Sequence, residues 1–193
     1  MRKHRRAAFR LQRIIPMVAG SLAMYWLFIR PWHLRWGATG EDVRRLMPGD
    51  DIVAEPGFSA TRAVSIEASA AEVWLWLCES GSVDAGRIAP GGTLLIGNTR
   101  YAIEAVEANR SLRMAIRNPH ATVSYGVMLD EINSAQTRLL VRTRASVHAD
   151  MLGVLFLLAL DAWDFVKLRR QMLNIKQLAE QHYLSRVPAP NAV

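Results

Sequence analysis

One cysteine, Cys78, is all that the 193 residues contain. That excludes an intramolecular disulfide and a metal site built from several thiolates. The five histidines, His4, His33, His120, His148 and His182, are scattered without metal-ligand spacing. There is no glycine-rich phosphate loop, no Ser-His-Asp arrangement and no internal repeat. Net charge is nearly absent outside the N-terminus. Arg2, Lys3, Arg5, Arg6, Arg10 and Arg13 carry six of the seven net positive charges. The basicity therefore belongs to a tail and not to a folded face, and nucleic acid is not an expected partner. No metal or cofactor is expected.

What is present begins with an uncharged stretch, Ile14 to Ile29, between Arg13 and Arg30. It is shorter than the roughly 20 residues of a full membrane span. Snorkelling of Arg13 and Arg30 makes up the difference, and Tyr25, Trp26 and Trp32 suit an interfacial belt. Two alternatives are a signal segment and a hydrophobic helix packed on the domain, but a clean cleavage site is missing. The reading taken is a basic cytoplasmic tail over 1–13 and a single-pass membrane anchor over 14–30, with the N-terminus in the cytoplasm. Residues 31–57 read as a connector packing on the domain. There Thr39 is placed to cap a short helix over Glu41–Leu46, and Pro48-Gly49-Asp50-Asp51 forms a turn.

From Thr61 to Leu77 one strand runs into one helix. Val64 to Glu67 alternates apolar and polar residues, and Ser69 stands three residues before Glu72 in a capping-box pattern. Val73, Trp76 and Leu77 share the helix's apolar face. After a loop over Gly81–Gly92 come five strand-like runs. Thr93–Ile96 is short. Tyr101, Ile103 and Ala105 share a face opposite Glu104. Leu112, Met114 and Ile116 alternate with Arg113 and Arg117. Val123 to Leu129, then Thr137 to Thr143, follow the same period. Short polar connections make the sheet antiparallel, wet on its arginine face and dry on its Tyr/Met/Val face. A helical run over Met151–His182 is available to cover the dry face, through Leu152, Leu155, Phe156, Ala159, Trp163, Val166, Met172, Ile175 and Ala179. The tail over 185–193 reads as flexible.

Several stretches in this order resemble one family. They are Arg35-Trp36-Gly37-Ala38-Thr39 with Pro48-Gly49-Asp50, Thr61-Arg62 followed by Ile66, and Glu72-Val73-Trp74-Leu75-Trp76-Leu77. Later come Ala85-Gly86-Arg87, Thr137-Arg138-Leu139-Leu140 with Arg142, and Asp164-Phe165-Val166 through Met172-Leu173, Ile175-Lys176 and Ala179-Glu180. Over residues 35 to 182 the chain resembles the START-like SRPBCC superfamily, often labelled polyketide cyclase/dehydratase-like. It departs from that pattern after Ala85-Gly86, where similar proteins carry a longer aromatic segment and this chain passes almost directly to the next strand.

The resemblance implies an α+β helix-grip fold over 58–184, a curved antiparallel sheet wrapped around a long C-terminal helix. It also implies an apolar cavity between them for a lipid, isoprenoid or polyketide-like molecule. The residues expected to line it are Tyr101, Met114, Tyr125 and Val141 from the sheet and Trp163 and Met172 from the helix, with Trp74 or Trp76 closing one end. The same residues equally describe a filled core. Asp161, Asp164 and Glu104 read as solvated or salt-bridged carboxylates, and no catalytic residue is assigned. The expected function is binding or transfer of a hydrophobic small molecule at a membrane. The alternatives are a cyclase/dehydratase-type enzyme and a non-catalytic interaction domain with a filled cavity.

Overall fold

The computed structural model describes residues 20, 24–81, 88–96, 99–147 and 151–186, with side chains of the last segment described from Asp164 onward. The expected basic tail, most of the expected anchor, the Ala85-Gly86-Arg87 stretch, the side chains of Asp161 and Trp163, and residues 187–193 lie outside the described residues. The chain divides into two units, Met1–Leu34 and Arg35–Val193. In the first, a π-helical turn over Tyr25–Ile29 leads into a short helix α1, Arg30–Leu34, and the Arg30 guanidinium stands 4.4 Å over the Trp26 ring. The single-pass membrane placement is corrected here. Among the described residues no helix is long and apolar enough to cross a membrane.

The second unit is built on a six-stranded antiparallel sheet. Its strands are β1 (Phe58–Ile66), β2 (Thr93–Ile96), β3 (Thr99–Glu107), β4 (Ser111–Arg117), β5 (Ala121–Asn133) and β6 (Gln136–Val147), in the spatial order β1-β6-β5-β4-β3-β2. Consecutive strands from β2 to β6 are hairpin neighbours, as short connections require, and the sheet curls. Three helices complete the unit: α2 (Gly40–Arg44), α3 (Ala70–Gly81) and α4 (Met151–Arg186). Leu168, Met172, Ile175 and Ala179 recur at helical spacing and are buried along α4. Val166, expected on that stripe, is 51% exposed, and Leu168 takes the inward position instead.

The period along β3 breaks once. Ile103 pairs with Met114 but Ala105 pairs with Arg113, so a bulge at Glu104 inserts one residue. Beyond it the faces exchange. Ala105 is exposed, and Val106 aligns with the inward Leu112. Glu104 pairs with Arg113 and Arg117 at the surface, which holds its carboxyl below the ordinary range, the hydrogen bond from Arg117 contributing most.

Over β6 the arginine face is not wet, whereas Arg117 on β4 stays 56% exposed. Residues 35–57 cover it as a strap, and Met47 packs with Ala63 and Leu140 into a small outer core. Arg142, 6% exposed, donates to the carbonyls of Asp42, Val43 and Arg45, to Asp50 Oδ2 and to Thr61 Oγ1. Arg138 reaches Asp42 and the Gly37 carbonyl, and Arg144 reaches the carbonyls of Asp50 and Ala54. Three of the Arg142 acceptors are carbonyls at the end of α2, so the guanidinium acts as that helix's C-terminal cap. At its other end Thr39 and Asp42 form a complete capping box. Burial alone would raise the Asp42 carboxyl. Hydrogen bonds from Arg138 and Thr39 outweigh it and hold the group low. The strap sits directly on sheet backbone: the Ala63 N–H donates to the Trp36 carbonyl, which closes part of the β1 edge.

Candidate functional site

Within the grip, Arg62 follows the phase of Val64 and Ile66 and so points to the side of the sheet that α4 covers. It is fully buried, and its Nη1 lies 2.9 Å from Asp164 Oδ2 on α4, with the Phe165 ring 5.5 Å from the guanidinium. Burial pushes the Asp164 carboxyl above the ordinary carboxylate range, and the charges of Arg62 and Lys167 offset only part of that. Tyr101 and Tyr125 meet nearby in a tilted contact, ring centroids 5.2 Å apart. Burial, with the Asp164 charge adding to it, drives both phenols far above their usual range, so they stay protonated. The group is a neutralised ion pair and two neutral hydroxyls inside an otherwise apolar interior.

Five residues expected at a cavity, Tyr101, Met114, Tyr125, Val141 and Met172, are all buried between sheet and α4. Tyr125, Val141 and Met172 border one void together with Leu77, Ile96, Leu168 and Gln171. Its volume is about 10 Å³, room for no more than a water. Trp74 and Trp76 do not border it. Trp76 is half-buried between α3 and α4, where its indole donates to Glu72 Oε1 and its ring meets His182 edge-on at 5.8 Å. Glu72 therefore makes only half of the expected box. Its N–H takes Ser69 Oγ, while its carboxylate turns to Trp76, His182 and Arg186. A larger hollow, about 590 Å³, is open, polar and on the surface, lined by Arg45, Asn109, Arg110 and Asp130 among others.

The expectations passed over Arg62 and Asp164 as a pair, and Gln171 and Thr143 as interior groups. Arg62 left a signal, a charge in the dry phase of its strand. Asp164 left a weaker one, four residues before Leu168 on the buried stripe. No nucleophile is activated here. Burial raises the Cys78 thiol to about 11, with Glu79 adding to it, so it is protonated at neutral pH.

No family model matches the chain, and no curated protein matches it. Among solved structures it is similar to CalU16 from Micromonospora echinospora, at 21% identity over 66% of this chain and 86% of that one, with a TM-score of 0.38. It is also similar to the di-domain ARO/CYC BexL of the BE-7585A biosynthetic pathway, at 16% identity over 69% and 48%, TM-score 0.42. Ara h 8.0201 overlaps at 10% identity over 67% and 99%, TM-score 0.40. These overlaps are loose, and the fold is read from the chain's own strand order and the helix its sheet holds. By that order the chain has a helix-grip fold, the architecture of the START-like SRPBCC superfamily that its sequence resembles.

Proposed function

We propose that the grip binds an apolar small molecule of the lipid, isoprenoid or polyketide-like class, without transforming it. One observation carries the reading: a charged pair, Arg62 with Asp164, is buried in the apolar interior beside two tyrosines whose rings meet at a tilt. A buried ion pair adds little to stability over apolar residues of the same volume. A few oriented polar groups in an apolar lining are what a small-molecule site needs. Tyr101, Tyr125, Val141 and Met172 supply the lining, and Met172 has the flexible side chain that lets a closed interior adapt. Protonated phenols and an engaged carboxylate suit recognition better than acid–base chemistry.

A second reading, an interaction domain with a filled grip, is favoured by the void of about 10 Å³. Native mass spectrometry of the full chain and uptake of the neutral fluorophore N-phenylnaphthylamine separate the two. Binding predicts a co-purifying apolar mass or saturable fluorophore uptake displaced by unlabelled lipid. Bare protein with no uptake sinks the binding reading and leaves the filled domain.

A further inference from the structure

Two buried oxygens in the grip have no hydrogen-bond partner among the described residues. One is Thr143 Oγ1, on a fully buried residue of β6. The other is Gln171 Oε1, from α4. Both adjoin Tyr125. Thr143 is its cross-strand neighbour on the same face of the sheet, and Gln171 shares with Tyr125 the border of the small void, which Thr143 does not line. Buried polar atoms are otherwise paired as a rule, so two orphans around one tyrosine call for a partner that the described residues do not supply.

The chemistry of that partner follows from the donors and acceptors. The Gln171 oxygen only accepts, while the Thr143 hydroxyl both gives and takes. An alcohol or phenol suits either, since it can donate to the first or accept from the second. A carboxylate has no proton to donate to Gln171. It would also stand near Asp164, which already engages Arg62. An ester accepts but cannot donate. We infer that Thr143 and Gln171 form a polar subsite selecting a neutral, hydroxyl-bearing apolar molecule over the corresponding anion. This rests on the grip being a binding site.

The test uses the full chain at neutral pH, with dodecanol, methyl dodecanoate and dodecanoate as competitors against N-phenylnaphthylamine. Dodecanol should compete roughly tenfold better than the ester, the effect of one well-made hydrogen bond, and dodecanoate should be weakest. The alcohol-to-ester ratio should fall to about one in Gln171→Met, which keeps the volume and removes the acceptor, and should fall in Thr143→Val. The wild-type ratio needs no variant to fold. Equal competition by alcohol and ester overturns the inference, as does tightest binding by the anion or a ratio unchanged in both variants. Each of those results leaves apolar binding standing. Failure of the protein to take up the fluorophore or any competitor instead removes the binding reading itself, and the inference with it.

Discussion

Asp164 and Arg62 are worth most as a pair, and the cost of separating them depends on which partner goes. The Asp164 carboxyl is already pushed above its ordinary range by burial, even with Arg62 2.9 Å away. Its folded value exceeds its unfolded one, so its contribution to stability is fully present below the unfolded value and is lost as pH rises through the folded one. Arg62→Leu removes the offsetting charge and raises the folded value further. At pH 7 the lone carboxylate should then cost about 3–5 kcal/mol, the usual price of a broken buried pair. The loss should shrink as the pH is lowered towards 4, where the carboxyl is protonated in the variant and about half protonated in the unfolded chain. Asp164→Asn keeps an acceptor for Arg62 but takes the counter-charge from a buried guanidinium that cannot shed its proton, so it should cost at least as much at pH 7. Urea melts of the two variants between pH 4 and 8 check this. A pH-independent loss in Arg62→Leu would mean that packing, and not charge, set its effect.

Arg142 carries the corresponding argument for an element, because one side chain ties the whole strap to the sheet. Removing it strands three carbonyls, the Asp50 carboxylate and Thr61 together. Arg142→Met should therefore cost about 3 kcal/mol or more, since each buried acceptor left unmet costs about 1–3 kcal/mol and part of that is recovered by water. Lysine cannot serve this many planar-placed acceptors and should not rescue. Gly126→Ala attacks the same interface from the sheet, where a Cβ would meet the Pro48 carbonyl at 2.0 Å, and should cost about 1–3 kcal/mol by overpacking. In both variants, limited proteolysis should cut first within residues 38–56. The strands and the long helix were legible because period-2 and helical patterns survive in any sequence that buries one face. Which face the 31–57 connector covers was not. Arg138, Arg142 and Arg144 alternate just as a solvated face does, and the residue type does not say whether a guanidinium ends in water or in a neighbour's carbonyls. The bulge at Glu104 was equally silent, since the run Tyr101–Ile103–Ala105 keeps its alternation on paper while the chain slips by one. The interior cluster was half legible. Arg62 stood in the dry phase, but its partner lies 102 positions away.

At the scale of the molecule these ties decide where the folding unit begins. The second compact unit opens at Arg35 and not at the first strand. β1 is an edge strand, and without the strap its outer face would expose Ala63 beside Leu140, and its edge N–H at Ala63 would lose the Trp36 carbonyl. Arg142 would be left on the sheet facing none of its strap acceptors. Arg169 on α4 lies 5.2 Å from the Trp36 ring, so the strap's first turn also touches the gripped helix. A chain starting at Phe58 keeps every strand and helix of the grip yet loses one of its three layers. It should express as an aggregating or non-cooperatively melting species, whereas a chain of residues 35–193 should melt in one transition. Circular dichroism melts of the two chains, followed at both a secondary-structure and an aromatic wavelength, distinguish the cases. Coincident, cooperative transitions in the shorter chain would show that the strap is an accessory covering and that the sheet and α4 suffice to define the fold.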